Sequence, residues 1–221
     1  MRSYIDLVLI ADTHELHREV DVPPGDILIH AGDFTMFSKR LSAIEDFDRW
    51  LGELPHAHKL VCPGNHESFL EADPGRRSAI SNAALLINEG IEIEGLRFWS
   101  SPVTPLYGGA FGMCSPEVRA RHWADVPGVD VLITHGPPLG ILDRSPGQQE
   151  HMGDPELLKA VQRLRPLLHV FGHAHGAYGQ AEIGETLFVN SALLGVDGAI
   201  THRALVVRIP RRVQKPAKPR G

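Results

Sequence analysis

Cysteine is scarce in this 221-residue chain, which has only Cys62 and Cys114. The two residues lie in different segments and form no Cys-x-x-Cys pair, which excludes a disulfide-rich scaffold and a thiolate metal site. A single disulfide stays open, although this usage suits a reducing compartment. Long apolar runs are also missing. The N-terminal apolar stretch, residues 7–10, is too short for a signal-peptide core or a membrane span. We therefore expect a cytoplasmic protein with no membrane partner.

Positive charge is also in short supply, since 22 Lys and Arg stand against 27 Asp and Glu, a net charge of -5. This balance argues against a long nucleic-acid track. Residues 208–221 differ, with six basic residues, no acid and several prolines. We predict a single domain over 1–209 and a basic, Pro-containing flexible tail over 210–221. The tail is read as a solvated terminus, with weak anion binding as the alternative.

Short apolar runs predict a series of strands, each followed by a polar turn. They lie at residues 4–10, 27–30, 58–62, 130–134 and 167–171. Between the second and third runs, residues 41–54 carry apolar side chains at three- and four-residue steps, which predicts an amphipathic helix. Strands that alternate with helices favour parallel pairing through helical crossovers.

The remaining elements are predicted from turn and cap signals. Residues 85–87, 91–93 and 96–99 read as short strands of a meander. Ser115 is expected to cap a helix that starts at Pro116, and Asp154 to open a helix running to Arg163. Two late strands are expected at 186–189 and 204–209.

Five polar clusters follow predicted strands, and together they are the strongest functional signal. They are Asp12-Thr13-His14, Gly32-Asp33, Gly64-Asn65-His66-Glu67, Thr134-His135-Gly136 and Gly172-His173-Ala174-His175. Ligands of open α/β sheets gather beyond the carboxyl ends of the strands. We therefore expect these distant segments to converge at one site.

The clusters contain seven side chains that could bind two metal ions. They are Asp12, His14, Asp33, Asn65, His135, His173 and His175. Any one histidine alone would be read as an ordinary core or surface residue, but the clusters jointly favour metal binding. Ligation by His, Asp and Asn without thiolate suits Mn²⁺, Fe²⁺ or Zn²⁺, with Mn²⁺ our first choice.

Five motifs in this chain, in this order, resemble those of the calcineurin-like metallophosphoesterases. They are Asp-x-His, Gly-Asp, Gly-Asn-His-Glu, a histidine after a strand and Gly-His-x-His. The resemblance extends to about residue 192. Residues 32–37, 134–140 and 169–173 are similar to the metallophosphoesterase-domain-containing, class III phosphodiesterase-like branch. The family resemblance implies a four-layer α-β-β-α sandwich with two mixed central sheets.

The resemblance also implies a role for each matching residue. The first ion would be held by Asp12, His14 and His175. The second would be held by Asn65, His135 and His173. Asp33 would bridge the two ions and take part in catalysis. His66 would face the phosphate as a general acid or charge stabiliser, with Asn65 and His135 also contacting substrate. Glu67 is expected to orient a loop or a group that contacts the ligands, rather than to take part in the chemistry.

The implied reaction is hydrolysis of a small phosphodiester, such as a cyclic nucleotide, by a hydroxide that bridges two divalent ions. The partner is then a small phosphoester or nucleotide. One alternative is a polynucleotide nuclease. The other is a low-activity, nucleotide-binding sensor or scaffold, which the intact His66 and His173 disfavour. Oligomeric state, native metals and monoester or diester preference stay open.

Four aromatic residues in loops near strand ends form a separate question. They are Phe34, Phe37, Tyr107 and Phe111. One of them could stack on a nucleobase, and simple loop packing explains them equally well.

Overall fold

The structure is a computed structural model that describes residues 2–37, 40–105, 107–144, 147 and 149–211. Residues 212–221 of the predicted basic tail lie outside the described residues. Within the described part of the chain, no helix combines the length and the apolar character that a membrane crossing requires.

The first of two mixed sheets has the strand order β11-β1-β2-β3-β4. Neighbours from β1 to β4 pair in parallel, and β11 pairs antiparallel with β1. Its strands are β1 (Tyr4–Ile10), β2 (Ile27–Ala31), β3 (His58–Cys62), β4 (Ala84–Leu85) and β11 (Leu205–Pro210). The predicted strands at 4–10 and 58–62 are confirmed with these bounds.

The second sheet has the order β5-β6-β7-β8-β10-β9. Strands β6, β7, β8 and β10 pair in parallel, and the antiparallel strands β5 and β9 form the two edges. Its strands are β5 (Glu89–Ile93), β6 (Leu96–Ser101), β7 (Val131–Thr134), β8 (Leu168–Phe171), β9 (Gly179–Ile183) and β10 (Thr186–Asn190).

In the described residues, four α-helices flank the sheets. They are α1 (Leu41–Glu53), α2 (Ser68–Ala72), α3 (Pro116–Ala124) and α4 (Pro155–Leu164). The predicted caps are confirmed, since the Ser115 hydroxyl accepts a hydrogen bond from the Val118 amide and the Asp154 carboxylate accepts one from the Glu156 amide. These bonds satisfy amide groups that the first helical turn leaves without partners.

Three apolar layers hold this arrangement together. Side chains of both sheets, such as Leu7 and Val131, pack between the sheets. On the outer face of the first sheet, Phe47 of α1 packs in a second layer. On the outer face of the second sheet, Trp123 of α3 and Leu157 of α4 pack in a third. The predicted four-layer α-β-β-α sandwich with two mixed sheets is therefore confirmed.

The predicted meander is wrong in one respect. Residues 84–85 form β4, which pairs in parallel with β3 in the first sheet, whereas β5 and β6 form a hairpin in the second. The chain thus leaves one sheet for the other between Leu85 and Glu89. Strand β9 was not predicted, because four of its five residues are polar or small and the strand is mostly exposed at a sheet edge.

Candidate metal centre

The five polar clusters converge, as the sequence predicts. They follow the carboxyl ends of β1, β2, β3, β7 and β8, which lie in two different sheets. The His135 Nε2 atom lies 2.9 Å from the Asn65 Oδ1 atom, across 70 residues of sequence. The His175 Nε2 atom lies 3.2 Å from the Asp12 Oδ1 atom, across 163 residues. Both sheets therefore contribute to a single site.

One group of possible ligands contains Asp12, His14 and His175, whose ligand atoms all lie within 4.8 Å of one another. The Nε2 atoms of the two histidines are 3.3 Å apart. This is the set that the resemblance implies for the first ion.

A second group contains Asp33, His135 and His173, again with ligand atoms within 4.8 Å of one another. Asn65 joins this group, because its Oδ1 atom lies 2.9 Å from His135 Nε2 and 3.1 Å from His173 Nδ1. These are the residues implied for the second ion, together with the implied bridging carboxylate.

Asp33 lies between the two groups. Its Oδ2 atom is 3.3 Å from His135 Nε2 and 3.9 Å from His14 Nε2. The same oxygen is 3.7 Å from His66 Nε2, and His14, Asp33 and His66 form a third group of possible ligands. His66 is thus close enough to ligate, and its assignment as a residue facing the substrate stays a prediction.

The hydrogen bonds of two histidines fix their tautomers in a way that suits metal binding. The Nδ1–H of His14 donates to the Thr35 carbonyl oxygen, and that of His135 donates to the Ala31 carbonyl oxygen, both at 3.1 Å. When both rings are neutral, their Nε2 lone pairs lie beside Asp33 and Asn65 oxygens, which are also acceptors. Acceptors that converge in this way are stabilised by a shared cation. The donor set therefore fits divalent metal ions.

Charge in the site follows from burial and from its two carboxylates. Burial disfavours the charged forms of Asp12 and Asp33. Nonetheless, the His175 hydrogen bond lowers the pKa of Asp12, and the charge of His135 lowers that of Asp33. Burial also opposes the charged form of His135, but the two carboxylates outweigh it and raise the pKa of His135 to about 9. The site therefore attracts positive charge.

Backbone strain is concentrated among the same residues. Asp12, His14, Asp33 and His173 all have positive φ angles between 42° and 64°. Non-glycine residues rarely adopt this region, and such strain clusters at functional sites. Gly172 lies so close that a Cβ atom on it would collide with the Asp12 carboxylate. The glycine of the Gly-His-x-His motif is thus required by close approach.

Glu67 ties two of the loops together, which supports the prediction that it orients a loop. Its fully buried carboxylate accepts hydrogen bonds from the amides of Asp33, Thr35 and Gly64, and from the Thr35 hydroxyl. Burial and the nearby Asp33 charge raise the pKa of Glu67 to about 7. The loops after β2 and β3 are therefore held through one carboxylate.

The four loop aromatics have different environments. Phe34 is buried and stacks on Phe47 of the core, and Phe111 is also buried. Tyr107 stacks on His173, with ring centroids 3.9 Å apart. Phe37 is 48% exposed and stacks on His66, with centroids 3.5 Å apart. Of the four, Phe37 is the most exposed to solvent.

A cavity of about 320 Å³ opens over the site. Its described lining residues are His14, Asp33, Met36, His66, His173, His175, Leu194, Gly195, Val196 and Gly198. The sequence did not point to Met36 or to the 194–198 loop. Isolated apolar residues in loops carry no motif, so only the fold reveals that they lie beside the histidines.

Comparison with known proteins agrees with this geometry. A family model described as calcineurin-like phosphoesterase matches residues 5–177. A UPF0046 protein of Caenorhabditis elegans is 39% identical over 95% of this chain and 77% of its own. Metallophosphoesterase domain-containing protein 1 of Homo sapiens is 35% identical over 94% of this chain and 72% of its own.

Among solved structures, the fold is similar to that of a phosphopantetheinyl hydrolase from Mycobacterium tuberculosis. The TM-score is 0.56 with 16% identity, and the match covers 100% of both chains. The family match spans all five polar clusters, and the relatives at 35–39% identity cover most of the chain. This chain belongs to the calcineurin-like phosphoesterase family.

Proposed function

We propose that the protein is a binuclear metal-dependent phosphodiesterase that hydrolyses small phosphodiesters such as cyclic nucleotides. Family membership supports a metal-dependent phosphoester hydrolase. The observation that carries the finer proposal is the pair of donor groups on either side of Asp33, beneath a cavity of about 320 Å³.

The residues present fit two ions. Asp12, His14 and His175 would hold the first ion. Asn65, His135 and His173 would hold the second. The Asp33 carboxylate lies between the two sets. When bound, divalent ions such as Mn²⁺, Fe²⁺ or Zn²⁺ supply Lewis-acid stabilisation of the phosphoryl group and an activated water.

The protein's own contribution to the reaction centres on His66. Its side chain is only 14% exposed, lines the cavity and stacks on Phe37. The His66 amide donates to the Asp33 Oδ1 atom at 2.9 Å, which fixes the backbone of this residue beside the shared carboxylate. From that position, a ring N–H of His66 would stabilise the leaving oxygen of the ester by a hydrogen bond or donate its proton to it.

The shape and charge of the cavity support a small substrate. Its volume is at the lower end of the range of roughly 300–1,000 Å³ that is usual for small-ligand pockets. No Lys or Arg is among the described residues that line it. Polynucleotide binding depends strongly on phosphate contacts from such residues. The observation favours a small diester over a nucleic-acid strand.

The first test measures hydrolysis of bis-p-nitrophenyl phosphate by protein loaded with Mn²⁺, Fe²⁺ or Zn²⁺. Replacement of the shared ligand, Asp33→Ala, should lower kcat/KM by at least about a hundredfold and reduce metal content. His66→Ala should lower kcat by roughly 10²–10⁴-fold while both ions are retained. The matched control is His58→Ala, an exposed histidine of β3 remote from the cavity.

A panel of 2′,3′- and 3′,5′-cyclic nucleotides, a monoester and single-stranded DNA then ranks the substrates. Faster cleavage of DNA than of every small diester would favour the nuclease. If wild type and both variants were equally inert with all three metals, the enzymatic proposal would be wrong. Tight nucleotide binding without turnover would then indicate a sensor.

A further inference from the structure

The mouth of the cavity carries exposed apolar side chains. Met36 is 51% exposed and Val196 is 82% exposed, and both line the cavity. Phe37, which stacks on His66, is 48% exposed beside them. Exposing apolar side chains to water costs free energy. Several of them around one opening indicate a binding surface rather than chance exposure.

Two separate segments hold these side chains in place. Met36 follows β2, and its amide donates to the Glu15 carboxylate at 3.2 Å. Phe37 has a φ of +51°, and its ring stacks on that of His66. On the other side, Val196 lies in a loop closed by the bridge between Leu194 and Ile200. Both apolar walls are thus fixed by hydrogen bonds or ring contacts.

The cavity has two chemically different ends. Histidines and Asp33 line the floor, where the phosphate of a substrate would lie. The exposed Met36 and Val196 line the mouth, and the described lining residues include no Lys or Arg. The described side chains that line this end are therefore uncharged. An uncharged organic group would remove apolar surface from water on both sides.

We propose that this mouth, lined by Met36 and Val196 with Phe37 next to Met36, binds an apolar, flat organic group of the phosphoester. The inference rests on the proposed phosphodiesterase function and specifies its substrate class. The face of the Phe37 ring that is turned away from His66 offers a stacking surface, because an aromatic ring can stack on both sides. Specificity is then set at the mouth, and the chemistry at the floor.

The test compares two diesters that share the leaving group p-nitrophenolate: phenyl p-nitrophenyl phosphate and methyl p-nitrophenyl phosphate. Wild type should favour the phenyl ester in kcat/KM by at least about tenfold, the effect expected from partial burial of a phenyl ring. As a binding measurement without turnover, phenylphosphonate should bind more tightly than methylphosphonate by a similar factor in titration calorimetry.

The variant Met36→Ser/Val196→Ser should lower both ratios by about fivefold or more, because it removes apolar surface from the two walls. The matched control is Val206→Ser on β11, where valine is 49% exposed but lies outside the cavity lining. This control should leave both ratios at their wild-type values.

Each outcome decides one question. Hydrolysis of both esters without a phenyl preference would overturn this inference and leave the phosphodiesterase proposal standing. Hydrolysis of neither ester would overturn the phosphodiesterase proposal, and this inference with it. If the double variant instead converted a dimer into monomers in size-exclusion chromatography and kept both ratios, the mouth would be a self-association surface, and the inference would be wrong.

Discussion

At the scale of single residues, Tyr107 packs against the candidate ligand His173 and is held at both ends of its ring. Its ring lies 3.9 Å from that of His173, with the planes only 10° apart. The Tyr107 hydroxyl donates to the Met152 carbonyl oxygen at 2.6 Å, so the far end of the ring is also tied. A Cβ on Gly136, next to His135, would come within 3.0 Å of that hydroxyl oxygen. Tyr107 thus packs against two ligand-bearing segments.

Replacing Tyr107 by Leu should loosen the His173 ring. It should thereby weaken the binding of the ion that we propose for Asn65, His135 and His173. Outer-shell partners of metal ligands typically contribute 10–100-fold in affinity. We therefore expect metal content after dialysis to fall from about two ions per chain towards one. Tyr107→Phe keeps the stacked ring and loses only the hydroxyl, so it should retain more metal than Tyr107→Leu. Atomic emission on the dialysed proteins measures both.

If Tyr107→Leu kept the full wild-type metal content and an unchanged metal affinity in a chelator competition, the stacking would have no role in metal binding. Equal losses in Tyr107→Phe and Tyr107→Leu would assign the effect to the hydrogen bond with Met152 instead.

At the scale of elements, the junction between a strand and its following loop positions each candidate ligand. Gly172 follows β8, and its amide donates to the His135 carbonyl oxygen at 3.0 Å. The Asp12 carboxylate, in turn, accepts a hydrogen bond from the His173 amide at 2.9 Å. The loops after β1, β7 and β8 therefore hold one another, and small changes in one will move the others.

Gly172→Ala tests this coupling. The added methyl group would collide with the Asp12 carboxylate and with Ala11, so the β8 loop or the β1 loop must shift. Overpacking of this kind costs about 1–3 kcal/mol in the free energy of unfolding, and the Asp12, His14 and His175 group should lose metal affinity as well. Denaturant unfolding and metal analysis check the two effects.

The matched control is Gly128→Ala. A Cβ at Gly128 would meet only the end of the Arg97 side chain, at 3.6 Å, an ordinary van der Waals contact. This variant should keep its metal and most of its stability. If Gly172→Ala behaved like Gly128→Ala in both measurements, the close approach would not constrain the site.

The elements also show what could be predicted from the sequence. The strands at 4–10 and 58–62 have strong local apolar signals, and the structure has the same bounds. Their carboxyl ends carry the polar clusters, so the convergence of the site followed from local patterns and one topological rule. The prediction that placed the strand at 85–87 in a meander was wrong, because the two residues of β4 cannot specify which sheet they join. The apolar mouth depends on loop positions that only the complete fold determines.

At the scale of the whole molecule, the second sheet encloses a histidine that its core must keep uncharged. His169 of β8 is fully buried, with its ring against Phe171 and Phe188. Thr134 donates its hydroxyl proton to the Gly136 carbonyl oxygen, so the His169 Nε2–H must donate to the Thr134 oxygen, 2.9 Å away. The His169 Nδ1 atom has no hydrogen-bond partner in the structure. Burial lowers the pKa of His169 to about 3.

This burial links folding to pH. The unfolded chain binds a proton at His169 below about pH 6.5, whereas the folded protein binds it only when the pH falls to about 3. The free energy of unfolding must therefore decrease as the pH falls from about 6.5 to about 3. Between pH 7 and pH 5 this residue should remove about 2 kcal/mol. In His169→Gln, which keeps an N–H donor for Thr134, the loss of stability between these two pH values should be smaller than in wild type by about that amount. Urea unfolding in the presence of EDTA measures this difference in stability without interference from metal release.

The same replacement at the exposed His58 should leave the wild-type pH dependence unchanged. Equal pH dependence in wild type and His169→Gln would show that His169 does not couple protons to the stability of this sheet.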